Sequence, residues 1–214
     1  MATRETQIKI TTAALALFNK YGSASVSFDK IASKSGISKG NLHYHYSSKE
    51  EIVMALWKQL ETKQHSWKAD ISNSGLPPLS AILLNQFEII WEYRFIYSEL
   101  NFLLDKDPDL SYRFAKKRAE RMEEIAQFCK AMIKRSLLKS SMTEPEIYRL
   151  IKSVWVISDY WLSYVSAGRQ EINCEVMTEG YELIAHLIKP YAIDPSVLHH
   201  TFTRSEIMHL NNAM

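Results

Sequence analysis

The chain has 214 residues, with 26 Lys/Arg against 24 Asp/Glu for a net charge of +2, and is 46% hydrophobic and 23% charged. This is ordinary globular composition, which excludes disorder and collagen-like repetition for most of the chain. Two cysteines, Cys129 and Cys174, are too few for a disulfide scaffold, and no apolar run reaches the roughly 18 residues needed to span a bilayer. The polar, mixed start from Met1 to Ile10 is unlike a signal peptide, so the expectation is a soluble, cytoplasmic protein of one or two domains with no membrane partner. The charge is unevenly placed. Residues 1–68 hold ten Lys/Arg and five Asp/Glu, or +5, and residues 69–214 hold sixteen and nineteen, or −3. A basic first third fits a polyanion partner, and equally a solvated basic face.

Helical spacing recurs along the chain, and no clean alternating runs stand out. Ile10, Ala14, Leu17, Phe18 and Tyr21 form one apolar face of a first helix that stops at Gly22. Ser27 is placed to cap a short second helix, with Asp29 in its first turn, Phe28, Ile31 and Ala32 inward, and Gly36 ending it. Ser38 is placed to cap a third, Lys39 to Tyr46, held by Leu42 and Tyr46. Ser48 and Glu51 fit a capping box before a fourth helix with Ile52, Leu56 and Leu60 inside, fading near Asp70. Ser72 to Pro78 reads as the clearest loop.

Beyond it, helices are predicted over Leu79 to about Tyr93, Tyr97 to Leu104, and Asp107 or Pro108 to about Ser140. Within the last, Lys116 to Glu124 holds seven charged residues in nine, including an i,i+4 pair of Lys116 with Glu120, and reads as a solvated, self-paired surface. Thr143-Glu144-Pro145-Glu146 starts a helix to Gly168, and Asn173 to about Tyr191 is the last strong one. Asp194-Pro195 starts one or two further turns.

The two short helices around Gly36 make a helix-turn-helix arrangement behind the longer first helix. On its third helix Lys39, Asn41, His43, Tyr44 and His45 crowd onto one polar element, and Gly40 leaves room for close backbone approach. Residues Gly36 to Glu50 resemble the recognition-helix signature of the TetR family of bacterial transcriptional regulators. Ala14 to Gly22 and Ser27 to Ala32 are similar to that family's first and second helices, so three blocks agree in order and spacing over about residues 8–56. The family often carries an aromatic residue where this chain has His43.

The resemblance implies an all-α fold with an N-terminal three-helix helix-turn-helix head on a larger helical body. Residues 1–48 would be the DNA-binding head, 49–70 a connecting helix, and 71–214 a ligand-binding and dimerisation domain. It implies double-stranded DNA as a partner. Lys39, Gly40, Asn41, His43 and Tyr44 would lie at the major groove, and Ser27, Tyr44, His45 and Lys49 would hold phosphates.

It also implies a homodimer built on the last two long helices, with Ile151, Val154, Ser158, Leu162, Met177, Tyr181, Ile184 and Ile188 as the seam. This fits a helix with nine apolar or aromatic residues in thirteen over Val154 to Ser166, and Gly180 for close approach. A pocket for a largely apolar small molecule is implied among the middle helices, at Phe87, Trp91, Phe95, Phe102, Phe128, Trp155 and Asp159. Asp159 would hydrogen-bond across the core, sit at the dimer seam, or face a polar or cationic ligand. Cys129 is expected to pack as a small hydrophobe.

Function is therefore expected to be that of a homodimeric repressor released from a pseudo-palindromic operator by a small molecule. The alternative is an all-helical small-molecule carrier with structural N-terminal helices. No metal-ligand spacing, phosphate loop or nucleophile motif is present in the sequence, so no metal, no cofactor and no enzymatic activity are expected.

Overall fold

The computed structural model describes residues 2–64 and 79–198. Apart from an isolated bridge between Leu138 and Ala192, the regular structure described is helical. The predicted loop at Ser72 to Pro78 and the end of the fourth helix lie outside the described residues.

The head is set by local capping signals. Helix α1 (Ala2–Tyr21) ends where Gly22 turns left-handed at φ 77°. Ile10, Ala14 and Phe18 are buried, whereas Tyr21 is 48% exposed, contrary to its predicted place on the inner face. Its ring lies under the ammonium groups of Lys20 and Lys30, an arrangement that favours a site at the rim. Helix α2 (Phe28–Ser35) starts at Ser27, whose Oγ accepts the Lys30 N–H, and stops at left-handed Gly36. Helix α3 (Lys39–His45) starts at Ser38, whose Oγ accepts the Asn41 N–H. In α4 (Lys49–Gln64) the Glu51 N–H reaches Ser48 Oγ, but the Glu51 carboxylate returns to the N–H and Oγ of Ser47, one residue earlier than the predicted box.

The body begins with α5 (Leu79–Glu92). The single short helix expected from Tyr97 is two, α6 (Arg94–Ser98) and α7 (Leu100–Lys106), broken at Tyr93 and Glu99. Asp107 caps α8 (Pro108–Lys134), accepting the N–H groups of Asp109 and Leu110. That helix ends six residues before the predicted Ser140, because the next residues pair elsewhere: the Lys139 N–H donates to the Tyr191 carbonyl and the Ile193 N–H to that of Leu137. Thr143 and Glu146 form a capping box for α9 (Glu144–Ala167), and Asn173 caps α10 (Cys174–Ile188). Two 3-10 turns follow, Lys189–Tyr191 and Pro195–Leu198.

Helix α9 is the axis of the body, packed on α6, α7, α8 and α10. A Cβ at Gly180 on α10 would sit 2.6 Å from the Trp161 indole, so glycine is what lets the two helices meet. Helix α4 touches both α1 and α5, and one buried cluster runs unbroken from Ile10 in the head to Leu198 in the body. Among the described residues, no helix is long and apolar enough to cross a membrane.

Candidate nucleic-acid interface and ligand cavity

Helix α3 is held from below by the fully buried Leu42 and turns its polar side outward. Lys39, Gly40, Asn41, His43 and Tyr44 are exposed and His45 is half-buried. Tyr44 stands 80% exposed, far beyond what a lone aromatic gains from the fold. Its ring meets His45 edge-on at 5.2 Å, and His43 stacks on Phe28 of α2 at 4.8 Å. A Cβ at Gly40 would meet nothing within 4 Å, so the backbone there is open. Together these groups offer donors, acceptors and flat rings on one short face, the chemistry that phosphates and base edges require. The Lys39 ammonium rests 2.9 Å from Asp29, with both groups exposed.

Lys49 is placed differently from the exposed residues of α3. Its ammonium donates to the carbonyls of Ser23 (2.6 Å) and Val26 (3.2 Å). It ties α4 to the loop before α2 and is half-buried in doing so. Ser27 is exposed, and its Oγ is occupied as an acceptor by the cap.

In the body, α4, α5, α6, α8, α9 and α10 enclose a cavity of about 180 Å³. Phe87, Phe128, Trp155 and Asp159 line it as expected from sequence. Three predicted lining residues do not, because the breaks around α6 turn them away. Trp91 is buried with the Arg94 guanidinium 4.6 Å from its ring, and Phe95 packs on Phe18 at 5.1 Å. Phe102 is exposed beneath Lys106.

The charged run on α8 is not all solvated either. Glu120 pairs with Lys117 at 3.1 Å. Lys117, Arg118 and Arg121 line the cavity. Arg121 lies over the Trp155 ring at 5.8 Å and Arg118 over Phe114 at 5.6 Å. The signal was present: Phe114, Arg118, Arg121, Ile125, Phe128 and Met132 follow each other at alternating spacings of four and three, one continuous stripe through the charges.

Asp159 is 6% exposed and its Oδ2 has no hydrogen-bond partner. Burial pushes its carboxyl up to about 7, against the opposing pull of the Trp155 N–H and of Arg118 and Arg121. Tyr97, also on the wall, accepts a hydrogen bond from Gln64 Nε2 at 3.0 Å. Burial first, then Asp159, keeps its phenol protonated. Burial raises the Cys129 thiol to about 11, so it is a thiol and a poor nucleophile at neutral pH.

The eight residues predicted for the dimer seam all face inward. Ile151, Val154, Ser158, Ile184 and Ile188 line the cavity, and Leu162, Met177 and Tyr181 are buried in the core. The large apolar side chains that α9 and α10 leave exposed are Val156, Tyr164 and Leu183.

Residues 10–56 match the family model described as bacterial regulatory proteins of the tetR family, and residues 54–199 match the TetR model described as a bacterial transcriptional repressor. The chain belongs to the TetR family of bacterial transcriptional regulators. It is similar to the probable HTH-type transcriptional regulator ArpR of Pseudomonas putida, 35% identical over 80 residues. It is also similar to the HTH-type transcriptional regulator TtgR, again of Pseudomonas putida, 34% identical over 80 residues. Each match spans 37% of this chain and 38% of the relative, so less than half of either protein is aligned. Among solved structures, a TetR-family regulator from Marinobacter aquaeolei superposes with a TM-score of 0.73 at 23% identity, covering 97% of both chains. A putative regulator from Saccharomonospora viridis, solved with choline, gives 0.64 at 17% identity over 86% of this chain and 97% of that one.

In this TetR-family chain the head and body are tied at the two breaks flanking α6. Asn19 donates to the Glu92 carbonyl (2.7 Å) and accepts the Phe95 N–H (3.1 Å), satisfying backbone groups freed by the break. The Glu99 carboxylate accepts the Ser23 N–H at 2.9 Å and the Ser23 hydroxyl. Gly22 is favoured there by its positive φ, and a Cβ would lie 2.6 Å from Glu99 Oε1, so any larger residue would also displace that carboxylate. On the opposite side of the same short helix, Ile96 and Tyr97 line the cavity.

Proposed function

We propose that this chain is a homodimeric repressor that reads a pseudo-palindromic operator with α3 of each protomer and leaves it when a small molecule fills the body cavity. The observation that carries the reading is α6. One side of this five-residue helix lines the cavity through Ile96 and Tyr97, and the other presses Phe95 on Phe18 of the head. A ligand that displaces Tyr97 moves the element on which the head is seated, which changes the spacing of two recognition helices. The choline complex of the Saccharomonospora viridis regulator supports a small-molecule role for a body of this fold.

Lys39, Gly40, Asn41, His43 and Tyr44 are the base and phosphate contacts we assign, with His45 and Ser27 at the backbone. Lys49 acts behind them as a clamp. Dimerisation is assigned to the outer face of α9 and α10, through Val156, Tyr164 and Leu183, as an isologous contact.

Selection from randomised duplexes followed by fluorescence anisotropy tests the reading. A pseudo-palindromic winner is expected, bound by a dimer in sedimentation. With roughly 6–10 phosphate contacts, affinity should fall by about 10³–10⁵ between 50 and 200 mM salt. A flat salt response, or a monomer on the DNA, overturns it.

A further inference from the structure

The reading above leaves the effector unnamed, and the cavity wall narrows its chemistry. The wall is largely apolar, yet two of its polar atoms are buried without a partner: the acceptor Asp159 Oδ2 and the donor Trp57 Nε1. Such atoms are uncommon in folded proteins because each forfeits a hydrogen bond that water would have supplied. Here both belong to residues lining a space of about 180 Å³. A dry engineered cavity of roughly 150 Å³ admits benzene, so the space suits a single substituted ring.

Resting on the ligand-responsive reading, we propose that the cavity takes a neutral, one-ring aromatic or alicyclic molecule carrying a hydroxyl group, whose O–H is directed at Asp159 Oδ2.

Three charge arguments favour a hydroxyl over the alternatives. A cation would gain from Asp159 but would meet the guanidiniums of Arg118 and Arg121 on the same wall. An anion would gain from those guanidiniums but would meet the carboxylate, and the Arg121 cation already lies over the Trp155 ring. A hydroxyl suits either form of the acid: it donates to an ionised Oδ2 and accepts from a protonated one. Burial holds that carboxyl's proton near neutral pH, so both forms are populated where the protein works. The apolar remainder of the ligand meets Phe87, Phe128 and Trp155.

Isothermal titration of the whole protein with four probes of nearly equal size tests this: 4-ethylphenol, ethylbenzene, 4-methylbenzylammonium and 4-methylbenzoate. 4-Ethylphenol is expected to bind about 10- to 100-fold more tightly than ethylbenzene, the range that a hydrogen bond to a charged group supplies. Both charged probes are expected to bind more weakly than the phenol. In Asp159→Leu the phenol's advantage should collapse while ethylbenzene still binds, which shows that the cavity survives. If that variant does not fold, the wild-type ranking alone decides. Equal binding of phenol and ethylbenzene, preference for either ion, or no binding of the phenol overturns the proposal. Anisotropy with operator DNA separates the underlying reading. Tight phenol binding that leaves the DNA bound overturns the release mechanism and leaves the ligand class standing. DNA release by a charged probe does the reverse.

Discussion

The head and the body place their polar chemistry on opposite sides of their helices. In the head, α3 turns Lys39, Asn41, His43 and Tyr44 outward over a wholly apolar anchor, Leu42. In the body, Arg121, Tyr97 and Asp159 point inward among Phe and Trp rings. The first arrangement serves a partner larger than the domain, which brings its own surface and water. The second serves a partner small enough to be enclosed, which must satisfy buried groups one by one. One short helix, α6, touches both regions, and on the proposed reading it joins two unlike recognition problems into one switch.

The largest effect that separates the regions is expected from the double substitution Lys39→Ala with Tyr44→Ala. At about 1–3 kcal/mol per specific contact, operator affinity should fall at least 100-fold by anisotropy. Dimer mass and ligand affinity should stay unchanged. Loss of ligand binding in that variant would mean that the two systems are not separable.

Next comes the junction. Glu99→Ala leaves the N–H of the buried Ser23 without its acceptor and is expected to cost about 1–3 kcal/mol. That is several degrees of thermal midpoint for a chain of this size. More telling, DNA binding and ligand binding should each persist while ligand no longer releases DNA. Retained release would move the coupling away from Ser23–Glu99.

A smaller effect is expected from Asp159→Asn, and it depends on pH. The folded carboxyl titrates near 7 and the unfolded one near its ordinary value of 3.8. Between those values the unfolded chain has lost a proton that the folded chain keeps. Wild-type stability therefore falls as pH rises from about 4 to 7, then levels off. The amide has no such dependence, so the variant's midpoint relative to wild type should rise by a few degrees from pH 5 to pH 8 in scanning calorimetry. A constant difference would show that Asp159 is ionised throughout.

The smallest effect is a predicted absence. Each phosphate contact contributes about 0.9 to the salt slope, so a Lys49 that touched DNA would lower the dimer's slope by about 2 on conversion to Met. With its ammonium committed to Ser23 and Val26, the slope of Lys49→Met should match wild type while the thermal midpoint drops. A lowered slope would restore Lys49 to the interface.

How much of this was legible in the sequence follows from how far each signal reaches. The starts of α2, α3, α8, α9 and α10 fall where Ser27, Ser38, Asp107, Thr143 and Asn173 predicted, because a cap is settled within four residues. The break at Glu99 has no glycine or proline to announce it. At that break Ser23, 76 positions earlier, binds the Glu99 carboxylate, a contact no local pattern announces. The early end of α8 likewise depends on Tyr191 and Ile193. On α9, Ile151 and Val154 were read as apolar-face residues and line the cavity of their own chain, a neighbour that spacing alone does not give. The contacts of Lys49 were out of reach for a similar reason. A lysine opening a helix beside a recognition element has the right chemistry for phosphate, and only the fold brings two carbonyls within its reach.

The ion pair between Lys39 and Asp29 has a kinetic consequence on this reading. Each encounter with random duplex begins with the recognition lysine beside a carboxylate that itself repels phosphate, an exposed pair of about 0–1 kcal/mol. Only a site that rewards Lys39 with more than a bare phosphate shifts it from Asp29 for long. Residence on unrelated DNA is thereby shortened, and more sites can be sampled in a given time before the protein stops at the right one.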